Sequence, residues 1–309
     1  MINLVSGGAG FIGRHLIEKL LNLNERVICI DNFSSGSKVN AEKWVSNPHF
    51  DLLEHDITEY IDLKIDRIWH LACPASPYHY QKQPILTSKI NFLGTYNLLK
   101  LADKYNARFL FTSSSEIYGD SGNEEQNENF YGYLNPVGKR SCYGEGKRIA
   151  ESLCFDFYRH NNTDIRVARL FNVYGPNMSR NDGRVISNFI CQALQGKEIN
   201  IYGDGSQTRS FCYVSDIISG LLKLMNSSYI DPINLGNPYQ EICIKKLAKL
   251  IINKIDPSLD LKFSSLPEGD PKMRKPNILN AKKFINWEPL INLNSGLEYT
   301  INYFKNVFE

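Results

Sequence analysis

The chain is short of the features that mark several protein classes. It has no charge excess: 35 Lys and Arg face 33 Asp and Glu, a formal net charge of +2. That leaves no strong field for nucleic acid or an anionic membrane surface. Lys245-Lys246 with Lys249 reads as the wet face of a helix. No apolar run reaches 18 residues, and no basic leader with an apolar stretch precedes Ile2–Val5, which argues against anchoring and secretion. Its seven cysteines are odd in number and scattered, with no Cys-x-x-Cys and no metal-ligand spacing. A disulfide framework and a structural metal are both disfavoured. Cys29 sits in an apolar run as a small hydrophobe. A reducing cytoplasm fits this usage, and repeats and low-complexity tracts are absent.

What remains is ordinary globular material, 42% hydrophobic and 22% charged, enough for one large or two closely joined domains. The first half alternates strands and helices. Strands are expected at 2–6, 27–30, 50–53, 67–71, 108–112 and 165–170, with helices at about 11–23, 86–105 and 143–160. This rhythm predicts an α/β fold: a doubly wound, Rossmann-like parallel sheet with helices on both faces. The unbroken apolar strands fit burial on both sides. Beyond Leu170 the pattern changes to a loop over 172–184, helices near 187–195, 216–225, 244–254 and 295–305, and a short strand at 199–202. A dinucleotide-binding domain is therefore expected over 1–170, with a return segment near 210–236. Residues 171–309 should mainly form a smaller mixed α/β substrate lobe over the carboxyl edge of the sheet, where ligands of open sheets bind. The polar stretch 120–129 reads as a surface loop.

Gly7, Gly10 and Gly13 stand between the first strand and the first helix. The first permits a tight turn, the second lets backbone approach a pyrophosphate, and the third lets helix and strand pack closely. The helix N-terminus then stabilises the phosphate charge. Asp31 ends the second strand, where a carboxylate can accept bonds from both ribose hydroxyls and repel a 2′-phosphate. This favours NAD over NADP.

Tyr143 and Lys147 lie four apart, one helical turn, and so share a face. A tyrosine acting as base near neutrality needs its pKa lowered by ~3 units from ~10. A single cation at ~4 Å and an effective dielectric of 20 supplies ~4 kcal/mol, about the amount required. The run Ser113-Ser114-Ser115-Glu116 follows a buried-type strand upstream. A base, a hydroxyl to orient the substrate and a nucleotide cofactor are the equipment for moving a hydride off a carbinol carbon.

These residues resemble the nucleotide-sugar-modifying branch of the extended short-chain dehydrogenase/reductase superfamily. The spacing G-x-x-G-x-x-G and Y-x-x-x-K mark the superfamily. His70–Pro77, Thr112–Gly119, Ser141–Arg148, Phe171–Pro176, Gly183–Ile190 and Gln207–Phe211 resemble, more narrowly, the UDP-glucuronate decarboxylase family. The resemblance runs from about Met1 to Pro289. It implies that Tyr143 takes the proton of the sugar 4-hydroxyl as hydride leaves carbon 4, and that Ser114 holds that oxygen. The resulting β-keto acid loses carbon dioxide, and return of the hydride gives UDP-xylose.

By the same resemblance Phe11, Ile12, Asn32, Asp56, Ile57, Leu71 and Ala72 join the glycines, Asp31, Tyr143 and Lys147 around NAD. Pro77, Tyr80 and Asn172 line the sugar pocket. Arg184, Tyr202, Gln207 and Arg209 lie along UDP and the uronate carboxylate. Arginine suits these groups because its donors are forked and always charged. Related 4,6-dehydratases carry Asp where this chain has Ser115. An ionised Asp there would face the substrate's own carboxylate. Glu116 is expected either to orient the ring or to handle the carbon-5 proton.

Gly144 and Asn277 stand where that family usually has Asp, and Met273, beside Arg274, where it has Arg. Relatives form homodimers through a four-helix bundle, here the helices near 86–105 and 143–160. Two other readings compete: a 4-epimerase or 4,6-dehydratase on another nucleotide sugar, and a non-catalytic NAD-binding module. The latter need not keep Ser114, Glu116, Tyr143 and Lys147 together.

Overall fold

The computed structural model describes residues 1–122 and 124–308. Short strands rich in Val, Ile and Leu open the chain: β1 (Ile2–Ser6), β2 (Arg26–Asp31), β3 (Phe50–Glu54), β4 (Arg67–His70), β5 (Arg108–Ser114) and β6 (Ile165–Leu170). They join in one parallel sheet of order β3-β2-β1-β4-β5-β6, and β11 (Ile233–Leu235) adds a seventh strand beside β6. Reversal of strand order at β1/β4 leaves a crevice at the carboxyl edge, the usual ligand position in such sheets.

Helices α1 (Phe11–Asn22), α2 (Lys38–Glu42), α3 (Pro77–Lys82), α4 (Pro84–Lys89), α5 (Thr95–Tyr105) and α6 (Ser141–Asn161) lie between these strands. α1 and α8 (Val214–Asn226) cover one face, burying Leu16, Ile17, Leu20 and Leu221 with Trp69. α5 and α6 cover the other over Leu4, Ile68, Phe109 and Val167. The helix expected over 86–105 starts earlier, at Pro84, and is interrupted by a π-turn at Ile90–Gly94. Gly94 there lies against Ile57: a Cβ would come within 2.5 Å of the Ile57 side chain. α5, α6 and α10 (Leu279–Ile285) end on left-handed Asn106, Asn162 and Asn286, asparagine taking the place more often held by glycine.

The smaller lobe has its own core, with Phe189, Ile190, Leu247, Ile251, Leu297 and Phe304 buried together. It is built by α7 (Val185–Leu194), α9 (Ile244–Ile255), α11 (Leu293–Phe308) and small sheets. One sheet pairs β8 (Ile199–Tyr202) with β13 (Leu261–Ser264), and another holds β9 (Thr208–Ser210) between β12 (Glu241–Cys243) and β14 (Met273–Arg274). Inside the expected loop, β7 (Val173–Tyr174) pairs with β10 (Cys212–Tyr213). α10 and Trp287 pack with α8 and β11 on the large sheet. Asp216 lies in the first turn of α8 and accepts hydrogen bonds from Leu290 N and Ile291 N.

The stretch 120–129 departs from a plain surface loop. Gln126 is fully buried, and Glu128 accepts from Asn234 N at 2.9 Å and Asn280 at 3.0 Å. The segment runs under the edge of the sheet because Asn234 also donates to the Gln126 carbonyl. Asn123 lies outside the described residues.

Candidate active site

Gly7 follows directly on β1; its φ of +72° suits glycine, and a Cβ there would meet Ala72 Cα at 2.7 Å. A Cβ at Gly13 would lie 2.3 Å from the Gly7 carbonyl oxygen. The turn is therefore closed to any side chain at both positions. α1 begins at Phe11 with no side-chain cap and no acid in its first turn. Its free N–H groups face the cleft, an arrangement suited to a pyrophosphate. Asp31, buried at the end of β2, accepts from Ala9 N at 3.0 Å and Phe33 N at 2.9 Å. Burial raises its carboxyl above the usual range, and the two backbone bonds oppose that. Asn32 donates to Asp56 at 3.1 Å, tying the ends of β2 and β3 beside Ile57. The glycine cradle, helix end and acid at the tip of β2 fit a dinucleotide with an unphosphorylated ribose.

This end opens into a cleft of about 890 Å³ that also receives residues of the smaller lobe. Every residue assigned to cofactor, substrate or catalysis from the sequence lines it, with the exception of Tyr80. Tyr80 is fully buried behind Tyr143, the two rings stacked 5.0 Å apart with 6° between planes. It sets the plane of the Tyr143 ring from behind. Pro77 opens α3 behind the cap Ser76, which accepts from His79 N. Asn172 donates to Ser210 O at 3.2 Å, joining the sheet body to β9. Gln207 donates to Tyr202 O at 2.8 Å. Arg184 is held by both oxygens of Asp182, its guanidinium 5.5 Å from the Phe11 ring.

Ser114 ends β5 and caps the 3₁₀ turn Ser115–Tyr118 by accepting from Glu116 N at 3.2 Å. Tyr143 lies in the first turn of α6, which starts at Ser141 with no side-chain cap, and Ser141 Oγ donates to Gly138 O at 2.6 Å. Both glycines flanking this turn serve close packing. A Cβ at Gly144 would stand 2.8 Å from Leu134, and one at Gly146 2.7 Å from Asn91.

Tyr143 and Lys147 are both buried on α6, one turn apart. Lys147 Nζ donates to Thr112 O at 2.9 Å, 4.6 Å over the Phe111 ring and 5.8 Å from the Tyr143 ring centre. Burial pushes the Tyr143 phenol up, with the nearby Ser114 hydroxyl lowering it in part. Burial also pushes the Lys147 ammonium down.

Sequence reasoning missed the charge chain around Glu116. Glu116 Oε1 meets Arg140 Nη2 at 2.6 Å, and its Oε2 meets Arg274 Nη2 at 2.7 Å. Arg140 continues to Asp270 at 3.1 Å, whose other oxygen meets Arg209 at 2.8 Å. Burial opposes ionisation of Glu116, yet Arg274 and Arg140 outweigh it and hold the carboxyl down at about 2. The position of Arg140, three residues before Tyr143, was the available signal. Its partner Asp270 is remote in sequence.

A family model described as "NAD dependent epimerase/dehydratase family" matches residues 3–236. UDP-glucuronic acid decarboxylase 1 of Arabidopsis thaliana is 49% identical over 303 residues, covering 98% of this chain and 69% of the relative. Among solved structures, UDP-glucose 4-epimerase from Thermotoga maritima with UDP-glucose has a TM-score of 0.91 at 28% identity, covering 100% of both chains. UDP-glucuronic acid 4-epimerase from Bacillus cereus, in complex with UDP-glucuronic acid and NAD, has a TM-score of 0.87 at 28% identity, covering 99% of this chain and 100% of that one. With the glycine cradle, Tyr143 and Lys147 converging on one cleft, these likenesses agree: the chain belongs to the NAD-dependent epimerase/dehydratase family and groups there with the UDP-glucuronic acid decarboxylases.

Proposed function

We propose that the chain converts UDP-glucuronate to UDP-xylose and carbon dioxide. The observation that carries this reading is the charge of the sugar end. Three guanidiniums, Arg140, Arg209 and Arg274, face two carboxylates, Glu116 and Asp270. One positive charge is left over, and the buried Nε groups of Arg140 and Arg274 have no partner among the described residues. A sugar bearing its own carboxylate suits that surplus, and a neutral hexose does not. Ser115 supports the reading, because a neutral hydroxyl there adds no further anion beside the carboxylate.

The glycine cradle and Asp31 would hold NAD, which would supply the hydride acceptor and donor for carbon 4. Tyr143 receives the 4-hydroxyl proton, and Ser114 orients that oxygen. Lys147, anchored on Thr112 O, contributes positive charge beside the phenol. The ketone formed at carbon 4 accepts the electrons released as carbon dioxide leaves. Residues 1–170 with the return segment 210–236 carry the cofactor, and residues 171–309 mainly carry UDP and the sugar. A homodimer in a reducing cytoplasm is supported by exposed apolar side chains on α4–α6 and by seven free cysteines. No helix among the described residues is long and apolar enough to cross a membrane.

The Bacillus cereus likeness favours a second reading, 4-epimerisation of the same uronate. Mass analysis after incubation with UDP-glucuronate separates them: decarboxylation yields a pentose product and carbon dioxide, and an epimer keeps the substrate mass. Tyr143→Phe is expected to abolish turnover while NAD still binds. Unchanged turnover would remove Tyr143 as the base.

A further inference from the structure

We propose that Arg140 is a positioning residue that fixes Glu116 as a permanent anion beside Tyr143, so that Glu116 orients the sugar and does not supply the carbon-5 proton. This rests on the decarboxylase reading above and assigns the role which that reading leaves open.

The geometry is specific. Arg140 is the N-cap residue of α6, and its carbonyl accepts from Tyr143 N at 3.1 Å and Gly144 N at 3.2 Å. The same residue's side chain reaches Glu116 at 2.6 Å. One residue thus starts the helix turn carrying Tyr143 and grips the carboxylate following Ser114 and Ser115. Its other Nη is braced by Asp270 at 3.1 Å, so the guanidinium is held from both sides. All three side chains are largely enclosed, with 14%, 13% and 21% of their surfaces exposed. Solvent screening of the pair is weak at such sites.

A carboxylate clasped at each oxygen by a different guanidinium has no reason to bind a proton. Burial alone would raise its pKa, but Arg274 and Arg140 bring it to about 2. At neutral pH Glu116 accepts hydrogen bonds and repels developing negative charge. The proton that replaces carbon dioxide at carbon 5 must therefore come from a different group.

Two measurements test this. In a difference infrared titration, the Glu116 band is identified by subtracting the Glu116→Gln spectrum. The wild-type carboxyl should stay ionised down to about pH 2. In Arg140→Gln it should titrate about 1–3 units higher, the effect of one lost cation. Turnover of UDP-glucuronate in that variant should fall at least about tenfold, the rate equivalent of about 1.4 kcal/mol. The acid limb of kcat should move up and KM should change little. Arg140→Lys should keep the carboxylate ionised and restore part of kcat. Should Arg140→Gln fail to fold, Asp270→Asn removes the brace together with the Arg209 contact and should lower kcat with Glu116 still ionised.

An unmoved Glu116 titration in Arg140→Gln would overturn the proposal. So would a loss confined to thermal stability and KM, or an unchanged kcat in Asp270→Asn. A wild-type chain that does not decarboxylate UDP-glucuronate would instead overturn the proposed function. The infrared titration needs no turnover and would still judge the clasp.

Discussion

Single residues here are constrained by what surrounds them more than by their type. Gly13 has a backbone oxygen 2.3 Å from where its Cβ would be, and backbone does not yield as a flexible side chain does. Gly13→Ala should cost about 1–3 kcal/mol, the usual range for overpacking, and weaken NAD binding, both read by thermal unfolding with and without NAD. An unchanged melting temperature with unchanged NAD binding would show that the turn tolerates a side chain. Glu116 gives a second residue-scale expectation. Its folded pKa lies below its ordinary value, so its charge adds stability above that ordinary value. The contribution is lost as pH falls from 4.5 towards 2. The wild-type advantage in melting temperature over Glu116→Gln should shrink across that window. A constant advantage would show that the pair contributes through shape alone.

Elements, in contrast, were largely readable. The glycines at 7, 10 and 13, the apolar strands and the Tyr143–Lys147 spacing located the sheet and the helix ends that frame the cleft. What stayed hidden depends on contacts between remote segments. The π-turn at Ile90–Gly94 answers to Ile57, and the buried course of 120–129 answers to Asn234. Tyr80 stacks behind Tyr143 because α3 packs on α6, which no local pattern encodes. The same holds for the pair that joins α6 to β6. Arg169 makes two bonds to Glu151, at 3.1 and 2.8 Å, and donates to Tyr118 Oη at 2.9 Å. Tyr118 ends the turn that carries Ser115 and Glu116. Glu151→Gln would leave a buried guanidinium without its counter-charge, at about 3–5 kcal/mol. Replacing both by Met should recover much of the loss, because the pair's desolvation cost disappears with its attraction. Urea unfolding of the single and double variants checks this. A double variant as unstable as Glu151→Gln would mean that packing around Tyr118, and not charge, holds the turn.

At the scale of the whole molecule, the helix that bears Tyr143 and Lys147 is also an outer helix. α6 carries Tyr143 and Lys147 inward; Ile149 on α6 is exposed, as are Ile85, Phe92 and Tyr96 on the helical segment packed against it. Tyr96 meets Phe157 edge-on at 6.0 Å, so the two helical segments present one continuous surface. Scattered apolar residues need no explanation, but a patch crossing adjoining helices does. Two copies packing these helices together would form the four-helix bundle implied by the resemblance, and a stable contact needs about 1,000 Å². A charge at its centre meets its own copy across a twofold axis, so each substitution acts twice. Phe92→Glu with Ile149→Glu should therefore shift the chain to the mass of one copy in light scattering and lower its melting temperature. Because neither side chain lines the cleft, NAD binding by the surviving monomer should persist. A doubly substituted chain that still sediments as two copies would place the contact on another face, and the bracing of α6 would then come from within the single chain.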